Sequence, residues 1–247
     1  MKTAVISITR HGVALAGRAV AALPGTRLHA PRKFAAEAEA AAPGAAYLYD
    51  GTTAEEIGRL FAGQDAIVAI FSLGALVRML APHLESKTSD PAVVALDEGG
   101  RFVIPVLSGH LGGANALAGR LAAALGAQAV LTTASDARAT IGVDLLGREL
   151  GWTLEAGHDT LVRASAAVVN DEPVALVQEA GSRDWWRHHA NGRRGPLPAN
   201  VTLFNRIEDV DPDRFAAVLW ISARAMPEAY AARLAGRCVV YRPGADA

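Results

Sequence analysis

The feature of this sequence that points most directly to chemistry is a histidine set among glycines. Leu107-Ser108-Gly109-His110-Leu111-Gly112-Gly113-Ala114-Asn115 follows an apolar, β-branched run and precedes an alanine-rich one. Glycines at 109, 112 and 113 let the backbone approach a ligand or a neighbouring strand, and they leave His110 on a strand-to-helix turn. Such a turn is expected at the carboxyl edge of a sheet, where open α/β proteins place their sites. An imidazole titrates near neutrality and can act as general base or as donor. A purely structural histidine is the competing reading. The glycine spacing is not G-x-G-x-x-G, and no Lys-Ser or Lys-Thr follows, which weighs against a dinucleotide or nucleotide loop.

Three further clusters flank this one. Ser72-Leu73-Gly74 ends an apolar run and opens a helix, whose first N–H groups lack intrahelical acceptors and can receive an anion. Gly74 as a plain turn residue is the simpler alternative. Lys87-Thr88-Ser89-Asp90 is a polar loop in which Lys87 and Asp90 could touch a ligand, or merely be solvated. Thr132-Thr133-Ala134-Ser135-Asp136 is a hydroxyl-rich turn; Thr132, Thr133 and Asp136 would share an edge with His110 if their strands are neighbours, while helix capping explains them locally.

The elements that must carry these turns alternate between short β-branched runs and alanine-rich stretches, the pattern of a parallel sheet covered by helices. Strands are expected at 4–8, 47–50, 66–71, 92–96 and 129–131, and helices at 12–22, 53–61, 74–80, 112–125 and 143–150. The segment 102–106 should pair with 92–96 as a hairpin, because Asp97-Glu98-Gly99-Gly100 is strong turn chemistry. Beyond 151–159 the rhythm changes, with strands at 173–178, 200–204, 218–221 and 237–241 separated by irregular Pro/Gly/Arg-rich stretches. The expectation is an α/β protein: an open, mostly parallel sheet flanked by helices over 1–152, then a smaller mixed α+β domain over 153–247.

Composition narrows the partners. With 24 basic against 25 acidic residues and a net charge of −1, the chain lacks the positive excess of a generic nucleic-acid binder. No apolar run reaches the roughly 18 residues needed to cross a bilayer, and the first ten residues are too short and too soon interrupted for a signal peptide, so a cytoplasmic location is expected. The single cysteine, Cys238, excludes an intramolecular disulfide and reads as a buried structural thiol in a strand. His188-His189 are adjacent and would diverge, and no His/Asp/Glu cluster has metal-ligand spacing. Trp185-Trp186 could stack on a flat ligand or pack between domains.

Taken together, Ser72-Leu73-Gly74 with Val77-Arg78 and Leu80-Ala81-Pro82, Lys87 with Asp90-Pro91-Ala92-Val93-Val94, Asp97-Glu98 with Gly100-Arg101-Phe102-Val103-Ile104, Leu107-Ser108-Gly109-His110 with Gly112-Gly113-Ala114-Asn115, and Thr132-Thr133-Ala134-Ser135-Asp136 resemble the amino-terminal region of the CbiG family of cobalamin biosynthesis. The likeness runs in order and without gaps. Residues 165–176 and 218–241 look like the smaller central domain of that family.

The resemblance implies a hydrolase that opens the ring-A δ-lactone of cobalt-precorrin-5A, giving cobalt-precorrin-5B and acetaldehyde. Lactone opening asks for an activated water and donors for an oxyanion, which makes His110 and Asp136 the candidate catalytic residues and the Gly112 and Gly113 N–H groups the candidate donors; the resemblance supports the location of the site and does not assign these roles. Arg78, Lys87 and Arg101 would pair with substrate carboxylates, and Ser72, Gly74, Asp90, Ser108, Gly109, Asn115, Thr132 and Thr133 would line the binding site. Cobalt would arrive chelated in the corrinoid precursor, so no cofactor or metal site is expected. Family members commonly carry a further carboxyl-terminal domain, so a separate protein supplying it, or another corrin-pathway enzyme, is an expected partner. The alternative is a non-catalytic tetrapyrrole-binding or handover module.

Overall fold

The computed structural model describes residues 1–86, 89–186 and 196–244. In chain order it contains β1 (Thr3–Ser7), α1 (Arg10–Ala22), β2 (Arg27–Pro31), α2 (Ala35–Ala41), β3 (Ala46–Tyr49), α3 (Thr53–Gly63), β4 (Ala66–Ile70), α4 (Leu73–Leu80), β5 (Ala92–Leu96), β6 (Phe102–Leu107), α5 (Ala114–Leu125) and β7 (Gln128–Ala129). There follow α6 (Ala134–Ala137), β8 (Thr153–Glu155), α7 (His158–Val169), β9 (Val174–Gln178), β10 (Val201–Phe204), β11 (Ala217–Ile221), α8 (Glu228–Ala231) and β12 (Cys238–Arg242). Among the described residues no helix is long and apolar enough to cross a membrane.

The chain divides into two compact units, Met1–Leu131 and Thr132–Ala247. In the first, a sheet in the order β3-β2-β1-β4-β5-β6-β7 runs parallel from β3 to β5. β4 and β5 are buried at every position, which is why Ala66-Ile67-Val68-Ala69-Ile70 and Ala92-Val93-Val94-Ala95-Leu96 read as unbroken apolar runs. One core lies between the sheet and α1, α2 and α5; the other, around Ile6, Tyr49, Ile57, Leu76 and Leu80, lies under α3 and α4. β6 returns antiparallel to β5 as the turn chemistry predicts, with its register slipping between Val93 and Val94 opposite Pro105. Proline offers no ladder donor, and a bulge there accommodates it.

The second unit is more regular than its Pro/Gly/Arg-rich sequence suggests. Its five-stranded sheet, β10-β9-β11-β12-β8, is parallel except for the edge strand β8. The break between units falls ahead of the boundary expected at 152/153, because Ile141, Val143, Leu146 and Trp152 join the core of the second unit rather than the first.

Several elements differ from expectation. The helix expected over 143–150 is a run of turns closed by a single 3-10 turn at Arg148–Leu150. Gly147 takes φ +73°, and a Cβ there would sit 2.0 Å from the Trp152 indole, so the chain must bend where a helix would continue. The helix expected from 112 starts at Ala114, because Gly113 is its left-handed N-cap at φ +86°. The strand at 129–131 shrinks to Gln128–Ala129. β2, α2, α6, β8, α7 and α8 are additions. Trp185 is buried in the core of its own unit, with its indole N–H donating to Gln178 at 2.7 Å. Cys238 opens β12, and burial pushes its thiol up to about 12, as a structural cysteine requires.

Candidate functional site

The expected site residues of the first unit separate to two edges of its sheet. Because β6 runs antiparallel to β5, the 108–115 turn lies at the amino edge of the parallel strands, beside the loop that enters β5: Leu107 is in register with Val93, and Ser108 Oγ donates to the Asp90 carbonyl at 2.8 Å. Ser72 and Gly74 open α4 at the opposite, carboxyl edge, and Arg101 sits in the hairpin at that same end. A single carboxyl-edge cluster holding both Ser72 and His110 is therefore corrected to two separate groups. The cause is the reversal of direction in the hairpin.

At the amino edge, the glycine pattern has a steric origin. Ser108 takes φ +53°, and its carbonyl receives the Ala114 N–H at 3.2 Å while the Gly109 carbonyl receives the Asn115 N–H at 3.0 Å. A Cβ on Gly109 would lie 2.7 Å from Asn115 Oδ1, and one on Gly112 would lie 2.4 Å from Ser108 Cβ. The turn is folded tightly on itself and holds His110 half-buried, with Leu111 exposed beside it. The Gly113 N–H donates to the His110 carbonyl at 3.0 Å, so it is spent inside the turn rather than offered to an oxyanion. Asp90 is likewise engaged: its carboxylate accepts from the Glu85 and Ser86 N–H groups at 3.1–3.3 Å, stapling the loop. Lys87 lies outside the described residues, as do His188 and His189.

At the carboxyl edge, the strand order places a topological switch between β1 and β4: the crossovers from β1 move outward through β2 to β3, and the chain then returns to β4 on the other side. A cavity of about 540 Å³ opens there, lined by Ile8, Thr9, Ser72, Asp97, Glu98 and Ile104 among others. Thr9 caps α1, accepting from the Gly12 N–H at 3.1 Å, and its hydroxyl donates to the Glu98 carboxylate. Burial pushes the Asp97 carboxyl up, but the N–H groups of Phe102 and Arg101 and the Arg101 guanidinium together hold it below the usual range. Arg101 pairs with Asp97 at 3.4 Å and stacks over Phe102. Arg78 is exposed on α4, and nothing packs where a Gly74 Cβ would go. Sequence reasoning missed Thr9, Glu98 as a lining group, and the whole contribution of β2; the strand-end position of Ile8-Thr9 was the available signal.

A neighbouring cavity of about 480 Å³ shares Ile8 and is lined by Arg32, Lys33, Asp50, Thr52 and Thr53 among others. Arg32 makes a two-pronged contact with Asp50, Nε and Nη2 each 2.8 Å from a carboxylate oxygen.

Asp136, Thr132 and Thr133 belong to the second unit. The Thr133 hydroxyl donates to the Asp136 carboxylate across the start of α6. At the ends of β9 and β11, Glu179 gathers the Ser222 hydroxyl at 2.8 Å, the Ile207 N–H at 2.9 Å and the Arg224 guanidinium at 2.7 Å. Burial opposes its ionisation, but these donors outweigh it and bring the carboxyl down to about 2. Among the described residues, no group of three or more His, Cys, Asp or Glu side chains is placed to hold a metal ion.

Residues 55–136 match the family described as Cobalamin synthesis G N-terminal, and residues 141–243 match Cobalamin biosynthesis central region. The chain is 38% identical over 240 residues to the cobalt-precorrin-5A hydrolase of Priestia megaterium, covering 97% of this chain and 62% of that protein. It is 36% identical over 183 residues to the cobalt-precorrin-5A hydrolase of Salmonella typhimurium, covering 74% of this chain and 48% of that one. It thus spans between about half and two thirds of the length of these relatives. The crystal structure of a cobalamin biosynthesis protein G homolog from Sulfolobus solfataricus aligns with a TM-score of 0.48 at 21% identity, over 98% of this chain and 60% of that one.

Proposed function

The chain belongs to the CbiG family by its amino-terminal and central regions, and on that premise we propose that it acts in cobalamin biosynthesis by opening the ring-A δ-lactone of cobalt-precorrin-5A, with loss of the C20 unit as acetaldehyde. The observation that carries this reading is the 38% identity to the Priestia hydrolase, sustained over 97% of the chain.

Lactone opening needs a base to activate water, donors for the developing oxyanion and cations for the peripheral carboxylates. His110, presented by a tightly folded turn of the first unit, is the proposed base; Asp136, in the second unit, is the alternative base. The Gly113 N–H, committed to the His110 carbonyl, drops out as an oxyanion donor and leaves that role to the Gly112 N–H or to other groups. Arg78 and Lys87 remain candidates for carboxylate pairing, Arg78 by a bidentate fork, whereas Arg101, at the sheet edge opposite His110 and paired with Asp97, drops out of a site built around His110. Cobalt enters within the substrate.

The test is acetaldehyde release by His110→Ala and Asp136→Asn. Loss of a general base lowers kcat by about 10²–10⁴-fold with little change in Kd. Full activity in both variants removes these residues from the chemistry. A second reading is a non-catalytic tetrapyrrole-binding or handover module that works with a separate partner domain. It predicts substrate binding without turnover and tolerance of His110→Ala.

A further inference from the structure

The sheet of the second unit has a topological switch of its own. From β9 the chain crosses outward to β10 and then returns to β11 on the other side of β9, so a crevice forms where β9 and β11 end. A hollow of about 510 Å³ opens there, a size in the range of small-molecule sites. Its described lining residues all lie just past the carboxyl ends of β9, β10 and β11. Ala180 and Ala223 add little bulk and leave it open, and its charged lining is Glu179, Arg206 and Arg224. The Glu179 carboxylate, 11% exposed, is already surrounded by the Ile207 N–H, the Ser222 hydroxyl, and Nε and Nη2 of Arg224, so it anchors that guanidinium rather than facing a ligand. Glu208 and the Trp220 ring, 5.9 Å from the guanidinium carbon, hold Arg224 further.

These contacts leave uncommitted donors. Among the described residues, Arg224 Nη1 has no acceptor, Arg206 bonds Glu208 through Nε and keeps both Nη groups, and Asn205 accepts from Arg183 through Oδ1 and keeps Nδ2. We propose that the second unit binds the phosphate group of a small phosphorylated molecule in this hollow, held by Arg206, Arg224 and Asn205. The donor geometry selects the ligand class. A planar carboxylate is best met by an intact guanidinium fork, and Glu179 closes the Nε/Nη2 fork of Arg224. A tetrahedral phosphate accepts single N–H groups arriving from several directions, and its charge favours two guanidinium groups over one saturated carboxylate. The proposal is independent of the His110 turn and of lactone opening.

The experiment titrates the full chain with inorganic phosphate and with ribose 5-phosphate, follows phosphorus NMR line widths, and repeats each titration with an equal concentration of acetate. Saturable binding with a Kd of about 1 mM or below is expected, undisturbed by acetate. Arg206→Met removes a side chain that is 68% exposed, so the fold is preserved, and is expected to raise Kd about tenfold. Asn205→Asp keeps the acceptor for Arg183 but sets a negative charge against the phosphate, and a rise at least as large is expected. Arg32→Met, in the first unit, removes one positive charge elsewhere and should leave Kd unchanged. No saturable binding, an unchanged Kd in either hollow variant, an equal rise in Arg32→Met, or displacement by equimolar acetate overturns the proposal.

Discussion

A methyl group added at Gly112 would lie 2.4 Å from Ser108 Cβ and 2.8 Å from the Ser108 carbonyl oxygen, and backbone cannot rotate aside. Gly112→Ala is therefore expected to lower stability by about 1–3 kcal/mol. Gly74 stands in open space at ordinary φ inside α4, so Gly74→Ala should be neutral or stabilising by up to about 1 kcal/mol. Urea midpoints of the two variants check this; equal loss in both would contradict the steric account. The residue types around His110 were visible in the sequence, and so was their concentration in one turn. What spacing could not reveal is that these glycines answer to neighbours inside the turn, such as Ser108 and Asn115, since a close contact between residues four or six apart depends on φ angles that no pattern encodes.

Among the elements, the hairpin of β5 and β6 decides where the site residues fall. Its turn was legible from Asp97-Glu98-Gly99-Gly100, and the antiparallel return it dictates carries 108–115 to the amino edge, away from Ser72. β2 was not legible: Arg27-Leu28-His29-Ala30-Pro31 is short, charged and ends in proline, although it is buried between β1 and β3. α7 was obscured by Val-rich composition; its Ala164, Ala167 and Val168 form the buried stripe. In the second sheet the Glu179 carboxylate ties the ends of β9 and β11 to the Ile207 turn. Its folded pKa of about 2 lies below the ordinary 4.5, so its contribution is complete above pH 4.5 and is lost as the pH falls through about 2. Allowing for solvent around the half-exposed Arg224, that contribution is about 2 kcal/mol. Glu179→Gln should lose this much at pH 7, and the gap to wild type should close on acidification from pH 4.5 to 2; a gap independent of pH would refute the clamp.

For the molecule as a whole, the division between the two units falls ahead of the boundary expected at 152/153 because of how residues 132–152 pack. Turn-rich sequence between 132 and 152 has no element long enough to announce which core it joins, yet Ile141, Val143, Leu146 and Trp152 commit it to the second. The matched family regions, ending at 136 and resuming at 141, divide close to the same place. Fold class and family likeness were readable because β-branched runs and local motifs are local properties. The separation of the site residues was not, because it depends on strand direction and order. The measurement that bears most directly on the proposed activity is acetaldehyde formed per cobalt-precorrin-5A consumed by the purified full chain. The account predicts one acetaldehyde for each lactone opened; substrate left intact with no acetaldehyde would contradict it.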